Sequence, residues 1–429
     1  MDMQGINERF KEVCPEQTVE NIRSILCGAG FEIEEIWNES GVENCHSLQV
    51  RLKNVPAIKS NGKGVSKALA RASAYGEFIE RLQCGLFLYK YQSITRDPVM
   101  NLQMYAPDGK YMTMQELEDS GEWMDYVIAT YGGGLTRQKL AKQCQIYAGT
   151  QEDKIWCLPF YSLFEDKVVY LPAGLVEHVY SANGCCAGNT RDEAWVHALS
   201  EIMERQRMIQ LLLSGKAIPK IPDEVLNKYP MAVEILQKIR QNGKYDVQML
   251  DASMGCGFPV ICTRIINRQT QGYIVNFAAD PVLEIAIDRS LTEILQGRNI
   301  HTFGSSHRGV VQEEIKNVPV AHNVLNQVEN NNGVFALDFF AEEVTCDQLC
   351  MAYEEHVDKS NKELLAEMLE RYRKLGRPVY VRNCSFLGFP SYQLVVPGFS
   401  ETRGYKLVEP VSEYAMGAAV VDTCRNVET

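Results

Sequence analysis

The sequence predicts a mixed α/β (α+β) protein that contains a duplicated strand–turn–helix element. Strand-like and helix-like segments alternate along the 429 residues without a regular βαβ rhythm, and no low-complexity stretch or long linker separates them. Two glycine-led helical segments, residues 64–81 and 188–205, each reach an E-x-x-E-R motif thirteen residues after the glycine. Hydrophobic residues make up 45% of the chain and charged residues 23%, so a chain of this length can bury a substantial core.

Periodicity predicts the elements in order. A helix is expected over residues 18–29, and strands over FEIEEIW and SLQVRL, where apolar and polar residues alternate. The first glycine-led helix follows the Asn61-Gly62 pair, which we interpret as a turn, and runs from about 66 to 89. A loop is expected from 97 to about 123, which opens with an Asp-Pro pair. Two β-rich segments, WCLPFYSL and KVVYLPAGL, lead through an Asn-Gly turn to the second glycine-led helix, which continues to about residue 213.

The remaining chain is predicted to be helical over 222–241, to form three strands within 247–280, and to begin a third notable helix at Pro281. Residues 343–376 are charged and helical in pattern, and two strands follow within 377–398. We divide the chain into an N-terminal α/β segment (1–55) that is integral to the fold, a core (56–400) and a C-terminal tail (401–429).

Bulk properties exclude several classes of protein. The net charge of −12 argues against a large non-specific nucleic-acid surface. The N-terminus lacks the apolar core of a signal peptide and no run approaches eighteen apolar residues, so a cytoplasmic protein without a membrane anchor is expected. The fourteen cysteines contain no C-x-x-C, and the closest spacings, Cys185-Cys186 and Cys346 with Cys350, have no histidine in zinc-finger register. Mostly buried, reduced thiols are therefore predicted.

The two E-x-x-E-R motifs are the first candidate site. Glutamates three residues apart lie on one face of a helix, and Thr190 with Glu193 has the form of a capping box that would begin the second helix. A single motif of this kind is usually a solvated helix face. Recurrence at matched spacing favours a shared site in which clustered carboxylates hold divalent cations and arginines or helix N-termini meet phosphate. In the third helix, Arg289 and Glu293 lie four apart, which is equally typical of a surface pair.

Other standard chemistries lack their motifs. The sequence has no G-x-x-x-x-G-K-[S/T] phosphate loop, no protein-kinase signature, no G-x-S-x-G elbow and no H-E-x-x-H zinc motif. What remains is an acid-rich, arginine-containing site on three helices, which is compatible with Mg²⁺-dependent phosphoryl transfer. Lys11 and Thr18 belong to no local pattern and by themselves would be assigned to the surface.

The chain resembles the YcaO family over nearly its whole length. The resemblance is carried in order by SNGKG (60–64), ASAYGEFIERL (72–82), SANGCCAGNTRDEA (181–194), LSEIMER (199–205), DRSLTEILQGR (288–298) and VVPGFSE (395–401). It implies the YcaO fold with an ATP site between helices. It also implies an enzyme of the cyclodehydratase and thioamidation class, which uses ATP and Mg²⁺ to phosphorylate the oxygen of a peptide backbone amide while a nucleophile adds to the carbon.

The resemblance also implies roles for individual residues. The carboxylates assigned to Mg²⁺ and the phosphates are Glu77, Glu80, Glu201, Glu204 and Glu293. The guanidinium groups assigned to phosphate are Arg81, Arg205 and Arg289. The residues assigned to the nucleotide are Lys11, Thr18, Ser73, Asn189 and Glu193, of which the first two match a Lys-x₆-Ser/Thr pair of the bacterial relatives. No residue is assigned to catalysis beyond these binding roles.

Two departures from the family pattern narrow the function. The chain ends CRNVET, whereas azoline-forming members of the family typically end in a P-x-P-x-P tail, and this difference argues against heterocycle formation. The chain otherwise resembles the housekeeping bacterial group most, but it lacks the long helical C-terminal extension of that group. The expected function is amide activation, either in ribosomal-protein methylthiolation or in thioamide or azoline maturation of ribosomally made peptides. The alternative is a non-catalytic ATP-binding accessory factor for a ribosomal-protein methylthiotransferase. Expected partners are the peptide or protein substrate, a leader-binding, TfuA-like or methylthiotransferase protein, and a second copy of the chain in a homodimer.

Overall fold

The structure is a computed structural model that describes residues 10–87, 106–132, 134–147, 154–214, 217–241, 243–269, 273–301, 342–343, 356 and 358–407. The helices of eight or more residues are α1 Pro15–Gly28, α2 Lys67–Gln83, α4 Trp123–Tyr131, α5 Arg137–Tyr147, α6 Arg191–Ser214, α8 Pro230–Arg240, α9 Leu283–Ile294 and α10 Asn361–Lys374. Shorter helices are α3 Met114–Ser120 and α7 Asp223–Leu226, with helical turns at Ala173–Leu175, Val176–Tyr180 and Gly404–Leu407.

The strands form three sheets whose pairings are almost all antiparallel. The first sheet has the order β1-β2-β3, from Ile33–Glu39, His46–Leu52 and Lys59–Gly64. The second has the order β11-β10-β9-β8-β12, from Tyr273–Ala279, Val260–Asn267, Tyr245–Asp251, Pro219–Lys220 and Glu342–Glu343, and its β8–β12 pair is parallel. The third has the order β4-β5-β13-β14-β7 with β6 on β5, from Lys110–Thr113, Lys154–Ser162, Tyr380–Asn383, Ser391–Val395, Cys185–Ala187 and Lys167–Pro172. The predicted mixed α/β architecture is confirmed.

Close packing between α2 and β3 fixes the first motif helix. Gly62 in β3 faces this helix so closely that a Cβ there would lie 2.1 Å from the backbone nitrogen of Ala74. Ser60 in the same strand donates a hydrogen bond to the carbonyl of Ala74. Below the helix, Tyr75, Phe78 and Ile79 pack with the apolar face of the first sheet. The opposite face of α2, which carries the predicted glutamates, is thereby directed away from this core.

The long helix α6 lies between the other two sheets. Its apolar residues Leu199, Ile202 and Met203 belong to a core that also contains Val260 from β10 and Leu394 from β14. The helix therefore buries most of its surface, and the row that carries Glu193, Glu201 and Glu204 is the part that faces the cavity described below. The third motif helix, α9, packs on β10 and β11 through residues such as Ile287 and Leu291.

Several predicted boundaries differ from the observed ones. The Asn61-Gly62 pair, which we interpreted as a turn, lies inside β3, because β2 pairs with it over its full length. Helix α2 ends at Gln83 rather than near 89, since Gly85 has a φ of 77°. In the expected loop, residues 97–105 lie outside the described residues, and the rest forms β4, α3 and the start of α4. The predicted helix over 222–241 is divided into α7 and α8, with Pro230 at the first turn of the second.

The cysteines of the described part are all free thiols, and most are buried, as predicted. Cys346 and Cys350 lie outside the described residues. Where the structure describes the chain, none of its helices is both long enough and apolar enough to cross a bilayer.

Candidate functional site

The three motif helices meet around one cavity of about 650 Å³. Helix α2 forms one wall, α6 the second and α9 the third, while β3 and the segment before α1 close the sides. All thirteen residues that were assigned to ATP or Mg²⁺ line it: Lys11, Thr18, Ser73, Glu77, Glu80, Arg81, Asn189, Glu193, Glu201, Glu204, Arg205, Arg289 and Glu293. A volume of this size is in the range that holds a small-molecule ligand.

The N-terminal segment contacts the beginning of α6 at one end of the cavity. The Nζ of Lys11 lies 3.1 Å from a carboxylate oxygen of Glu193, and the hydroxyl of Thr18 lies 3.1 Å from the side-chain oxygen of Asn189. The other carboxylate oxygen of Glu193 accepts from the backbone and side-chain nitrogens of Asn189. The hydroxyl of Thr190 accepts from the backbone N–H of Glu193, which is half of the predicted capping box. These contacts bring residues about 180 positions apart together.

Helix α6 contributes two glutamates and an arginine, Glu201, Glu204 and Arg205, to its wall of the cavity. We call this part of the wall the floor. The guanidinium of Arg205 lies 3.8 Å from Glu201 and 3.6 Å from Glu204, whose side chain is only 5% exposed. Burial raises the pKa of Glu204 to about 7; Arg205 opposes the rise and Glu293 adds to it. Burial likewise raises the pKa of Glu201, against the favourable charge of Arg205. The floor is therefore a place where negative charge is incompletely compensated by the protein.

Helix α2 presents a matching set from the opposite wall. Arg81 pairs with Glu77 one turn earlier at 2.6 Å. Burial, together with the charges of Glu201 and Glu77, raises the pKa of Glu80 well above its usual range. The Nε of Arg81 is buried and has no hydrogen-bond partner among the described residues. A carboxylate and a guanidinium donor on this wall are thus both left incompletely satisfied.

Helix α9 contributes the third set, which is better balanced. The Nζ of Lys63, from β3, lies 2.9 Å from Glu293, and Arg289 lies 3.6 Å from Asp280. Burial opposes ionisation of Glu293, but Lys63 and Arg289 outweigh it and lower the pKa of this carboxyl. The helix begins at Leu283, after the carboxylate of Asp280 accepts from the backbone N–H of Val282, and not at Pro281 as predicted.

The donor chemistry fits Mg²⁺ together with a polyphosphate. In the part of the chain that the structure describes, no three Asp, Glu, His or Cys side chains are gathered into a group that could hold a metal ion. Mg²⁺ is commonly bound through one or two carboxylates, with the remaining ligands supplied by water and by phosphates of the substrate. Glu77, Glu80, Glu201, Glu204 and Glu293 supply such carboxylates on all three walls. The Nε–H of Arg81, which has no partner among the described residues, can donate a hydrogen bond to an anionic ligand.

Sequence reasoning missed several cavity residues. Lys63, His197, Asp280, Asp288 and Arg298 also line the cavity. Helical spacing could have identified His197 as a cavity residue, because it lies four residues from both Glu193 and Glu201 and therefore on the same face of the helix. Lys63 adjoins the Asn-Gly pair that we interpreted as a turn, and Asp280 precedes a helix without belonging to its periodic pattern, so neither carried a local signal.

Two curated proteins are similar to this chain over most of its length. The ribosomal protein S12 methylthiotransferase accessory factor YcaO of Escherichia coli (strain K12) is 28% identical over 398 residues, which is 91% of this chain and 66% of that protein. An uncharacterized protein of Haemophilus influenzae is 28% identical over 400 residues, 91% of this chain and 65% of that protein. The chain thus spans just under two thirds of the length of these relatives.

Two solved structures share the fold. A heterocyclase in complex with substrate and cofactor matches with a TM-score of 0.66 and 19% identity, over 95% of this chain and 57% of that one. YcaO from Methanopyrus kandleri, bound with AMPPCP and Mg²⁺, matches with a TM-score of 0.55 and 18% identity, over 91% of this chain and 93% of that one. A profile of the YcaO cyclodehydratase family, described as ATP- and Mg²⁺-binding, matches residues 61–400, and the chain is therefore a member of the YcaO family.

Proposed function

We propose that this protein binds ATP with Mg²⁺ in the three-helix cavity and uses it to activate a backbone amide of a peptide or protein. The observation that carries the proposal is the convergence of residues from four distant segments on one cavity, where buried carboxylates have raised pKa values and lie beside arginines. Burying mutually repelling carboxylates is unfavourable unless a cation accompanies them, so the arrangement supports a binding site rather than a core.

The residues divide into three groups by the chemistry that they supply. The five glutamates would hold Mg²⁺, which neutralises charge on the transferring phosphoryl group when it is bound. Arg81, Arg205 and Arg289 would bind phosphate oxygens through paired N–H donors. Lys11, Thr18, Ser73, Asn189 and Glu193 would contact the rest of the nucleotide. Hydrogen bonds among Lys11, Thr18, Asn189 and Glu193 hold that end of the cavity in place.

In the proposed reaction, ATP activates the amide and the amide oxygen is then lost as inorganic phosphate. The amide oxygen accepts the γ-phosphoryl group of ATP and ADP leaves, while a nucleophile adds to the amide carbon and gives up its proton. Inorganic phosphate then departs with the former amide oxygen and a second proton is lost. The proton comes from the amide nitrogen when the product is an azoline, which forms a C=N bond, and from the sulfur when it is a thioamide, which forms a C=S bond. A sulfide would give a thioamide and a side-chain thiol or hydroxyl an azoline. The description of the family as a cyclodehydratase supports the azoline outcome, and the name of the E. coli relative supports a role in ribosomal-protein methylthiolation.

The proposal extends to the setting of the protein. We propose a cytoplasmic location, in agreement with the free thiols of the described part. A leader-binding, TfuA-like or methylthiotransferase partner and a homodimeric state are part of the same proposal, as is the division into residues 1–55, 56–400 and 401–429.

A second candidate is an accessory protein that binds ATP without turnover and assists a ribosomal-protein methylthiotransferase. The observation that favours it is the similarity to the E. coli protein whose name describes such a factor. Peptide-dependent ATP hydrolysis separates the two candidates, because only the enzyme consumes ATP in proportion to the modified peptide.

The first experiment is calorimetric titration of the protein with ATP, in Mg²⁺ and in EDTA. Micromolar binding that requires Mg²⁺ and is lost in Glu204→Gln is expected. Glu116→Gln is a matched control, because Glu116 is an exposed glutamate in the capping box of α3 and does not line the cavity. No binding by the wild-type protein, or equal binding by Glu204→Gln, would count against a nucleotide site in the three-helix cavity.

A further inference from the structure

His197 lines the same cavity but has no role in the nucleotide binding proposed so far. It lies on α6 one turn after Glu193 and one turn before Glu201, so the three side chains lie along the same face of the helix. The imidazole lines the cavity and is partly exposed to it. It is therefore positioned between the end formed by the N-terminal segment and the carboxylate floor.

The surroundings of His197 distinguish it from the other polar groups of the cavity. Three cationic side chains act on it, those of Arg289, Lys11 and Lys63. Each of these cations has an anionic partner, at 3.6 Å, 3.1 Å and 2.9 Å respectively. Among the described residues, in contrast, we find no hydrogen-bond or ion-pair partner for the imidazole of His197. Its hydrogen-bonding capacity is thus left to whatever enters the cavity.

Burial and the neighbouring charges determine the protonation state of the His197 imidazole. Burial and the charges of Arg289, Lys11 and Lys63 lower the pKa of His197 well below its usual range. Glu193 and Glu201 on its own helix are engaged by Lys11 and Arg205. The ring is therefore neutral at pH 7, with one nitrogen as a donor and the other as an acceptor.

We propose that His197 is a positioning residue for the nucleotide and donates a hydrogen bond from its neutral ring to the phosphate chain. The proposal rests on the proposed function, because it requires a nucleotide in this cavity. The cationic side chains of Arg289, Lys11 and Lys63 all act on this point of the cavity, and cations attract the oxygens of a phosphate chain. A neutral imidazole at this point can donate to a phosphate oxygen without adding a fourth positive charge beside Arg289, Lys11 and Lys63.

The test compares two substitutions at this position. His197→Leu removes the donor at similar volume, and His197→Gln keeps an N–H donor. We expect His197→Leu to weaken MgADP binding about 10- to 100-fold, the usual effect of losing a hydrogen bond to a charged group. His197→Gln should stay within about threefold of the wild type. His46→Leu, in β2 and outside the cavity lining, is the control and should leave the affinity unchanged.

Two further readouts separate a phosphate contact from a structural role. Affinity for adenosine should change little in His197→Leu, and the imidazole ¹⁵N signals of wild-type His197 should shift on addition of MgADP. The NMR readout also covers the case in which the leucine variant does not fold. Wild-type MgADP affinity in His197→Leu, equal losses for adenosine and MgADP, or unshifted ¹⁵N signals would overturn the phosphate contact. A wild-type protein that binds no nucleotide would instead refute the proposed function, and the role of His197 with it.

Discussion

Two carboxylates of the same cavity are expected to affect stability with opposite signs. Burial raises the pKa of Glu204 to about 7, whereas Lys63 and Arg289 outweigh burial at Glu293 and lower its pKa. The ionised form of Glu204 therefore destabilises the ligand-free protein, and the ionised form of Glu293 stabilises it. Glu204→Gln and Glu293→Gln make the same chemical change, so each is a control for the other.

The size of the effect at Glu204 follows from its pKa. Each pKa unit corresponds to about 1.4 kcal/mol, so a rise from 4.5 to about 7 amounts to about 3 kcal/mol of destabilisation above pH 7. Below pH 4.5 the carboxyl is protonated in the folded and unfolded states alike, and the destabilisation disappears. It grows as the pH rises from 4.5 to 7. Glu204→Gln should thus be more stable than wild type at pH 8, by up to about 3 kcal/mol, and equal to it at acid pH.

The contribution of Glu293 has the reverse dependence on pH. Its pKa is lowered in the folded state, so its stabilisation is present above pH 4.5 and is lost as the pH falls through the folded-state value. Glu293→Gln also leaves Lys63 without its carboxylate partner. It should therefore be less stable than wild type at pH 8.

Urea denaturation in EDTA, followed by circular dichroism at pH 4 and pH 8, measures both effects. The wild-type midpoint should lie between the midpoints of the two variants at pH 8. If Glu204→Gln were destabilised at pH 8, or if both variants shifted in the same direction, the assignment of opposite electrostatic roles would be wrong. Loss of MgATP binding in the more stable Glu204→Gln would then show that the glutamate is retained for binding and not for folding.

Three further predictions concern other parts of the molecule. Arg205→Lys should lower MgATP affinity about tenfold by calorimetry, because an ammonium lacks the paired donors of a guanidinium. Glu401 is buried and its pKa is raised to about 7, so wild-type stability should fall between pH 4.5 and 7 and Glu401→Gln should reduce that fall in urea titrations. Gly62→Ala should destabilise the fold by about 3 kcal/mol or more, since its Cβ would meet the backbone of Ala74 at 2.1 Å.

Each of these predictions has a result that contradicts it. Full MgATP affinity in Arg205→Lys would remove the phosphate role of that arginine. A Glu401→Gln variant with the pH dependence of the wild type would mean that this carboxyl has the same pKa in the folded and the unfolded protein. For Gly62→Ala, the control is Gly76→Ala on α2, where a Cβ meets nothing within 4 Å, and equal midpoints for the two variants would refute the close packing.

Local pattern was sufficient to predict two of the three walls of the cavity. The 3.6-residue period places Glu77 with Glu80, and Glu201 with Glu204, on single helix faces, and the structure shows both pairs lining the same cavity. The fold class was also predicted correctly, because alternation of strand and helix patterns depends on short stretches of sequence. The roles of these residues remain predictions, since their arrangement alone does not identify what they bind.

Long-range contacts explain what local pattern could not predict. Lys11 and Thr18 reach the cavity because their segment packs against the start of α6, a contact that no neighbouring residue encodes, and only the family resemblance indicated them. Lys63 was missed because Asn61-Gly62 is a strong turn signal, which pairing with β2 and the approach of α2 override. Tertiary packing thus decided the structure wherever local preference and burial disagreed.

The balance of charge in the cavity connects these observations. Glu293 is compensated by Lys63 and Arg289, whereas Glu80, Glu201 and Glu204 have raised pKa values in spite of Arg81 and Arg205. A fold selected for stability alone would replace such carboxylates by apolar or amide side chains. Their ionisation becomes favourable when a divalent cation enters, and the cation in turn attracts phosphate. The excess of buried negative charge over its partners is therefore the feature that most directly links this structure to binding of a metal–nucleotide complex.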